Sequence, residues 1–158
     1  MTIQAIPPGY HTLTPYMTVR DAARAIEFYK QAFGAVEKGV MQGPDGKIMH
    51  AELRIGDSIF MLADEFPQYG SLSPLSTGGS GMGLHIYVED VDSAFDRAVK
   101  AGASVEMPVG DMFWGDRYGK LADPFGHKWS IATHKADLTM DEMAEGAKAM
   151  MQDMPKSA

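Results

Sequence analysis

The sequence predicts an α+β protein built of two βαβββ modules, followed by a C-terminal helix. Three observations carry that expectation. Two segments about seventy residues apart match, one running from Val19-Arg20-Asp21 to Phe33-Gly34-Ala35 and the other from Val88-Glu89-Asp90 to Ala101-Gly102-Ala103. Each copy contains a helical spacing of apolar residues that is preceded by strand-like alternation. Strand-rich sequence broken by turn residues follows each helix.

Before the first helix, Pro15, Met17 and Val19 form an apolar set and leave Thr14, Tyr16 and Thr18 on the opposite face. Leu84, Ile86 and Val88 do the same in the second copy and leave Gly83, His85 and Tyr87. Each helix has one apolar stripe: Ala22, Ala25, Ile26, Tyr29 and Phe33 in the first, Val91, Ala94, Phe95 and Ala98 in the second. Asp21, and Asp90 or Asp92, suit the helix starts, while Gly34 and Gly102 suit the left-handed position after the last turn. Turns at Gly43-Pro44-Asp45-Gly46 and Gly56-Asp57 bound strands at 48–55 and 58–62. The second copy has strands at 104–109, 117–122 and 128–133, with a turn at Asp123-Pro124-Phe125-Gly126.

These elements divide the chain into an N-terminal extension (1–11), a first module (12–65), a linker (66–81), a second module (82–134) and a C-terminal helix and tail (135–158). The linker is rich in Ser, Pro and Gly, and 77–81 reads as its most flexible part. Its glycines neither follow a strand nor open a helix, which argues against a phosphate-cradling loop. In the tail, Thr139 and Glu142 have capping-box spacing. Met140, Met143, Ala144, Ala147, Met150 and Met151 form a stripe expected to pack on the chain's own sheet or on a second subunit.

The 158 residues suffice for one domain, or for two half-domains sharing a core. A hydrophobic fraction of 45% with 22% charged residues is globular composition. The net charge of −7 repels phosphate backbones and anionic membranes, so neither nucleic acid nor membrane is an expected partner. The absence of cysteine removes disulfides, thiolate metal sites and thiol nucleophiles together. Residues 1–11 lack a basic segment followed by an apolar one, and 58–63 is among the longest apolar runs, so a soluble cytoplasmic protein is expected.

Three motifs carry a resemblance to a known family: Thr14-Pro15-Tyr16-Met17-Thr18-Val19-Arg20-Asp21, Glu27-Phe28-Tyr29-Lys30-Gln31-Ala32-Phe33-Gly34 and Asp123-Pro124-Phe125-Gly126-His127. In their order, spacing and duplication the chain resembles the vicinal oxygen chelate superfamily of glyoxalases, bleomycin-resistance proteins and extradiol dioxygenases. Met49-His50-Ala51-Glu52-Leu53, Trp114-Gly115-Asp116-Arg117-Tyr118-Gly119-Lys120 and Trp129-Ser130-Ile131-Ala132-Thr133-His134 are similar to a glyoxalase-like bacterial subgroup that has no single agreed activity. The resemblance implies that the two βαβββ modules form curved mixed sheets around a cleft, and it implies a homodimer, since relatives commonly complete their cleft or sheet through a partner.

It also implies a test for a metal. The superfamily's enzymes place His or Glu on the cleft face of the first and last strand of each module, where a divalent ion polarises paired substrate oxygens. The matching residues here are Thr14, Phe60 or Met61, Gly83 and Ser130, none of them a good ligand. The usual metal site is therefore not favoured, nor is any cofactor. A relocated set of His50, His85 and Glu52 is the alternative, because alternation puts His50 with Glu52 and His85 with Gly83 on cleft faces.

Two functions follow. The first is capture of a small amphipathic molecule by Tyr16, His50, Glu52, His85, Tyr87, Trp114 and Tyr118, with Glu52 or Asp116 attracting a cation. The alternative is a metal-dependent lyase or isomerase, or a dioxygenase, with Glu52 or His50 as base and Lys120 or Arg117 beside a developing enolate oxygen. No Gly-x-Ser-x-Gly elbow is present, and Ser130 is near His127 and His134 in sequence alone.

Overall fold

The computed structural model describes residues 3–153. Strand β1 (Tyr16–Val19) leads into helix α1 (Ala22–Phe33), and three strands follow: β2 (Val36–Gln42), β3 (Ile48–Ile55) and β4 (Ser58–Asp64). After a 3₁₀ turn (Pro67–Tyr69) and the short α2 (Pro74–Thr77), the order repeats as β5 (Gly83–Tyr87), α3 (Val91–Ala101), β6 (Ser104–Asp111), β7 (Asp116–Ala122) and β8 (Lys128–His134). Helix α4 (Met140–Asp153) ends the described chain. The sheets have equivalent orders, β1-β4-β3-β2 and β5-β8-β7-β6, with the first pair parallel and the others antiparallel in each. The duplicated strand–helix–three-strand order is thus observed, with every strand expected from the pattern present.

Local chemistry fixes the helix ends. Asp21 adopts a left-handed φ of 66° and accepts from the Arg24 amide, while Asp90 accepts from the Ser93 amide. Gly34, at φ 65°, closes α1 where a side chain would be strained. The α1 stripe is buried in full together with Phe28 and Ala32, and Val91, Phe95 and Ala98 are buried on α3. Gly119 on β7 lets α3 approach, since a Cβ there would stand 2.6 Å from the Phe95 ring.

One core spans both modules. The Phe33 and Trp129 rings lie 4.5 Å apart, and Tyr29 packs against Phe60 and Trp129. Asp123, 6% exposed in the turn between β7 and β8, accepts from the Tyr29 hydroxyl at 2.7 Å, the Trp129 indole at 2.8 Å and the Phe125 and His127 amides. Its lone pairs are filled by donors from both halves, which is what permits burial of a carboxylate. His127 adds a contact at 2.9 Å from its Nε2 to the Thr18 carbonyl.

Two expected segments take these forms. Most of the 66–81 segment is folded onto the first module: Glu65 accepts from the Ser73 amide, the Ser76 hydroxyl and Arg20. Only part of the Met stripe of α4 is covered. Met143 and Ala147 are half-buried, but Ala144 is exposed and Met140, Met150 and Met151 are 78%, 48% and 72% exposed. The helix approaches the body at Gly146, where a Cβ would lie 2.8 Å from the Phe113 Cβ.

Candidate functional site

The registers place the candidate residues in rows across the sheet faces that point away from the helices. In the first sheet Tyr16, Met61 and Glu52 lie side by side on β1, β4 and β3. In the second His85, Ser130 and Lys120 hold the corresponding places on β5, β8 and β7. Of the two residues matched to the end of the first module, Met61 is on this face and Phe60 is in the core at 4% exposure.

The first sheet carries a chain of polar contacts. The Tyr16 hydroxyl meets His50 Nδ1 at 3.1 Å, and His50 Nε2 meets Glu52 Oε1 at 3.1 Å. Tyr10, from the segment before β1, donates its hydroxyl to the other Glu52 oxygen. These bonds, that of Tyr10 first and that of His50 second, lower the Glu52 pKa, and the same bond raises that of Tyr10. Residues Ile6, Pro7, Tyr10, Thr14, Glu52 and Met61 line a cavity of ≈ 540 Å³. Tyr10 lies in the expected N-terminal extension and had no periodic signal to mark it.

The second sheet carries an aromatic platform. His85 sits edge-on to Tyr87 with centroids 4.6 Å apart and stacks on Tyr118 at 5.8 Å, while Trp114 meets Tyr118 edge-on at 5.3 Å. Across the sheet, Ala132 is paired with both Tyr87 and Tyr118 and is itself fully buried between them. Beneath one end is Asp116, 5% exposed, which accepts from Trp114 Nε1 at 3.1 Å and the Tyr87 hydroxyl at 3.3 Å and contacts His134 Nδ1 at 2.8 Å. The far side of His134 meets Asp137 at 2.9 Å, and these two carboxylates, Asp137 foremost, raise the His134 pKa. Asp116 also raises that of Tyr87, and burial lowers that of His85, whose Nδ1 is 2.7 Å from Ser130 Oγ.

The seven candidate residues therefore fall into two groups: Tyr16, His50 and Glu52 on one sheet, and His85, Tyr87, Trp114 and Tyr118 on the other. Strand alternation alone allows His50, Glu52 and His85 to converge. Among the described residues no three His, Cys, Asp or Glu side chains come together to hold a metal ion. The residues at the family's ligand positions offer two hydroxyls, a thioether and a glycine, a set that does not fit a divalent ion. Arg117 is also reassigned. Its guanidinium grips Asp92 at the start of α3 through two bonds of 2.7 Å and reaches Asp111 at 3.2 Å, on the helix side of the sheet. Ser130 bonds to His85, so its sequence proximity to His127 and His134 is not contact.

A family model described as "Glyoxalase/Bleomycin resistance protein/Dioxygenase superfamily" matches residues 10–131. The chain belongs to this superfamily. An uncharacterized relative from Mycobacterium bovis is 49% identical over 134 residues, covering 83% of this chain and 88% of the relative. The X-ray structure of an Arabidopsis thaliana gene product superposes with a TM-score of 0.64 at 29% identity, covering 78% of this chain and 98% of that one. The crystal structure of TioX from Micromonospora sp. ML1 gives a TM-score of 0.61 at 28% identity, with coverage of 78% and 98%. Superfamily membership accounts for the duplicated module. None of the described helices is long and apolar enough to cross a membrane.

Proposed function

We propose that this superfamily member captures a cationic, flat, amphipathic small molecule on the aromatic face of its second sheet. The observation that carries the reading is the buried Asp116 carboxylate, which anchors Trp114 and Tyr87 by their polar atoms and so fixes the orientation of both rings. A cation over such rings gains about 0.5–2 kcal/mol, and a desolvated carboxylate beneath them adds to the attraction. The net charge of −7 favours approach of the same ligand.

Catalysis by Glu52 is the less favoured reading. Both of its oxygens are engaged, by Tyr10 and His50, and its pKa is lowered, which makes it a weak proton acceptor. Of the candidates for an enolate mechanism, Glu52 and His50 stand on β3 and Lys120 on β7 of the other sheet, while Arg117 is held by Asp92 and Asp111.

We also propose a homodimer. It is supported by the exposed Tyr16 and Tyr87 and by apolar residues on the outer strands, including Val40 and Met41 on β2 and Val105 and Met107 on β6. Titration of the intact protein with N-methylquinolinium, followed by calorimetry and Trp fluorescence, tests the binding reading, and sedimentation equilibrium tests the dimer. Saturable binding that is lost in Trp114→Ala supports capture, whereas no heat and no quenching overturn it.

A further inference from the structure

The second sheet carries a charge of each sign on the same face, with Tyr118 between them. Asp116, Tyr118 and Lys120 alternate along β7, so all three side chains project from one side. Four strand rises separate the Asp116 and Lys120 Cα atoms by about 13 Å. Lys120 is directly across from Ser130, and Ser130 is across from His85. Among the described residues Lys120 makes no ion pair, whereas its neighbour Lys128 is closed onto Glu106 and Arg117 onto Asp92 and Asp111.

We infer that Lys120, Ser130 and His85 form an anion subsite, and that the ligand is a zwitterion whose flat cationic part lies by Trp114 and Tyr87 and whose carboxylate, sulfonate or phosphonate group reaches Lys120. The inference rests on the binding function proposed above and specifies the second charge of its ligand. Lys120 is half-buried and, among the described residues, pairs with no carboxylate, since Glu106 on the adjoining strand is taken by Lys128. With the proton on His85 Nδ1, the ring donates to Ser130 Oγ at 2.7 Å and leaves the hydroxyl hydrogen free for an incoming anion. Trp114 and Asp116 at the other end exclude that anion, because a like charge there is buried and already coupled to His134 and Asp137. The face therefore discriminates orientation as well as charge.

Calorimetry on the full chain decides the matter with three probes: N-methylquinolinium, quinolinium bearing a sulfonate on a butyl or an octyl arm, and an uncharged quinoline bearing the same sulfonated arms. The expected result is that at least one zwitterion binds about tenfold or more tighter than the plain cation, and that added salt reduces the gain. Lys120→Met should erase the gain without weakening the plain cation, and Lys120→Arg should retain it, with circular dichroism confirming that both variants fold. A cation that binds with no improvement from either sulfonate, or a gain that survives Lys120→Met, overturns the anion subsite alone. If none of the probes binds, the capture function fails and the subsite fails with it.

Discussion

Glu52 and Lys120 occupy the same register position in the two sheets, Glu52 across from Met61 and Lys120 across from Ser130. The duplicated scaffold thus presents opposite charges at equivalent points. The neighbouring aromatics are exchanged in the same way: Tyr16 on β1 and His50 on β3 make a pair, and in the other module His85 holds the β5 place and Tyr118 the β7 place. Duplication fixed where side chains point, and substitution then gave each face its own chemistry.

Trp114→Ala should weaken N-methylquinolinium binding by roughly threefold to thirtyfold, the range of one cation–π contact. Asp116→Asn should weaken it too, while also loosening Trp114, whose indole donates to that carboxylate. Calorimetric Kd values for the two variants and the double variant would show the coupling, since residues sharing a contact are non-additive.

Removing the Asp123 carboxylate orphans the Tyr29 hydroxyl and the Trp129 indole together. Asp123→Ala should cost about 3 kcal/mol or more, and Tyr29→Phe about 1 kcal/mol. Urea denaturation of both variants, analysed with a common m value, checks the ratio.

Gly115 has φ 98°, and a Cβ there would lie 2.3 Å from the Ala136 carbonyl oxygen. Because that atom belongs to backbone, Gly115→Ala should displace the segment leading to α4 and disturb the adjacent Trp114. Gly119→Ala, by contrast, presses on the Phe95 ring and should cost about 1–3 kcal/mol of stability with the tail in place. Amide hydrogen exchange over 135–153 separates the two effects.

Glu65, held by Ser76, Ser73 and Arg20, has its pKa lowered to about 2 from an ordinary 4.5. A depressed carboxylate contributes stability that is present above its unfolded value and lost as pH falls through the folded one. The stability difference between the wild type and Glu65→Gln should therefore shrink as pH falls from 4.5 toward 2. His134 has the opposite sign: raised from 6.5, it contributes fully below that value and loses its contribution as pH climbs through the raised one. Melting curves of His134→Gln against the wild type should converge on the alkaline side.

Much of the fold was legible because its signals are local. The caps at Asp21 and Asp90, the alternation in β1 and β5, and the Thr139–Glu142 capping box all act within a few residues, and each is present with its expected hydrogen bond or burial. The site was legible only as faces. Alternation put His50 with Glu52 and His85 with Tyr87, but it gave no distance between sheets, so the proposed metal set was not brought together. Tyr10 on Glu52 and Arg117 on Asp92 join residues far apart in sequence, for which no periodicity exists. The Met stripe of α4 shows that helical spacing specifies a face without specifying what covers it.

Asp123 stands in the last hairpin, yet it takes the hydroxyl of Tyr29 from the first helix, and Trp129 of β8 closes over Phe33 beside it. During synthesis the leading half must therefore emerge with its central phenol lacking an acceptor and an aromatic wall open to water. Consolidation waits until residues 123–129 have left the ribosome, a delay that widely separated contacts impose and that leaves the nascent first half exposed to aggregation.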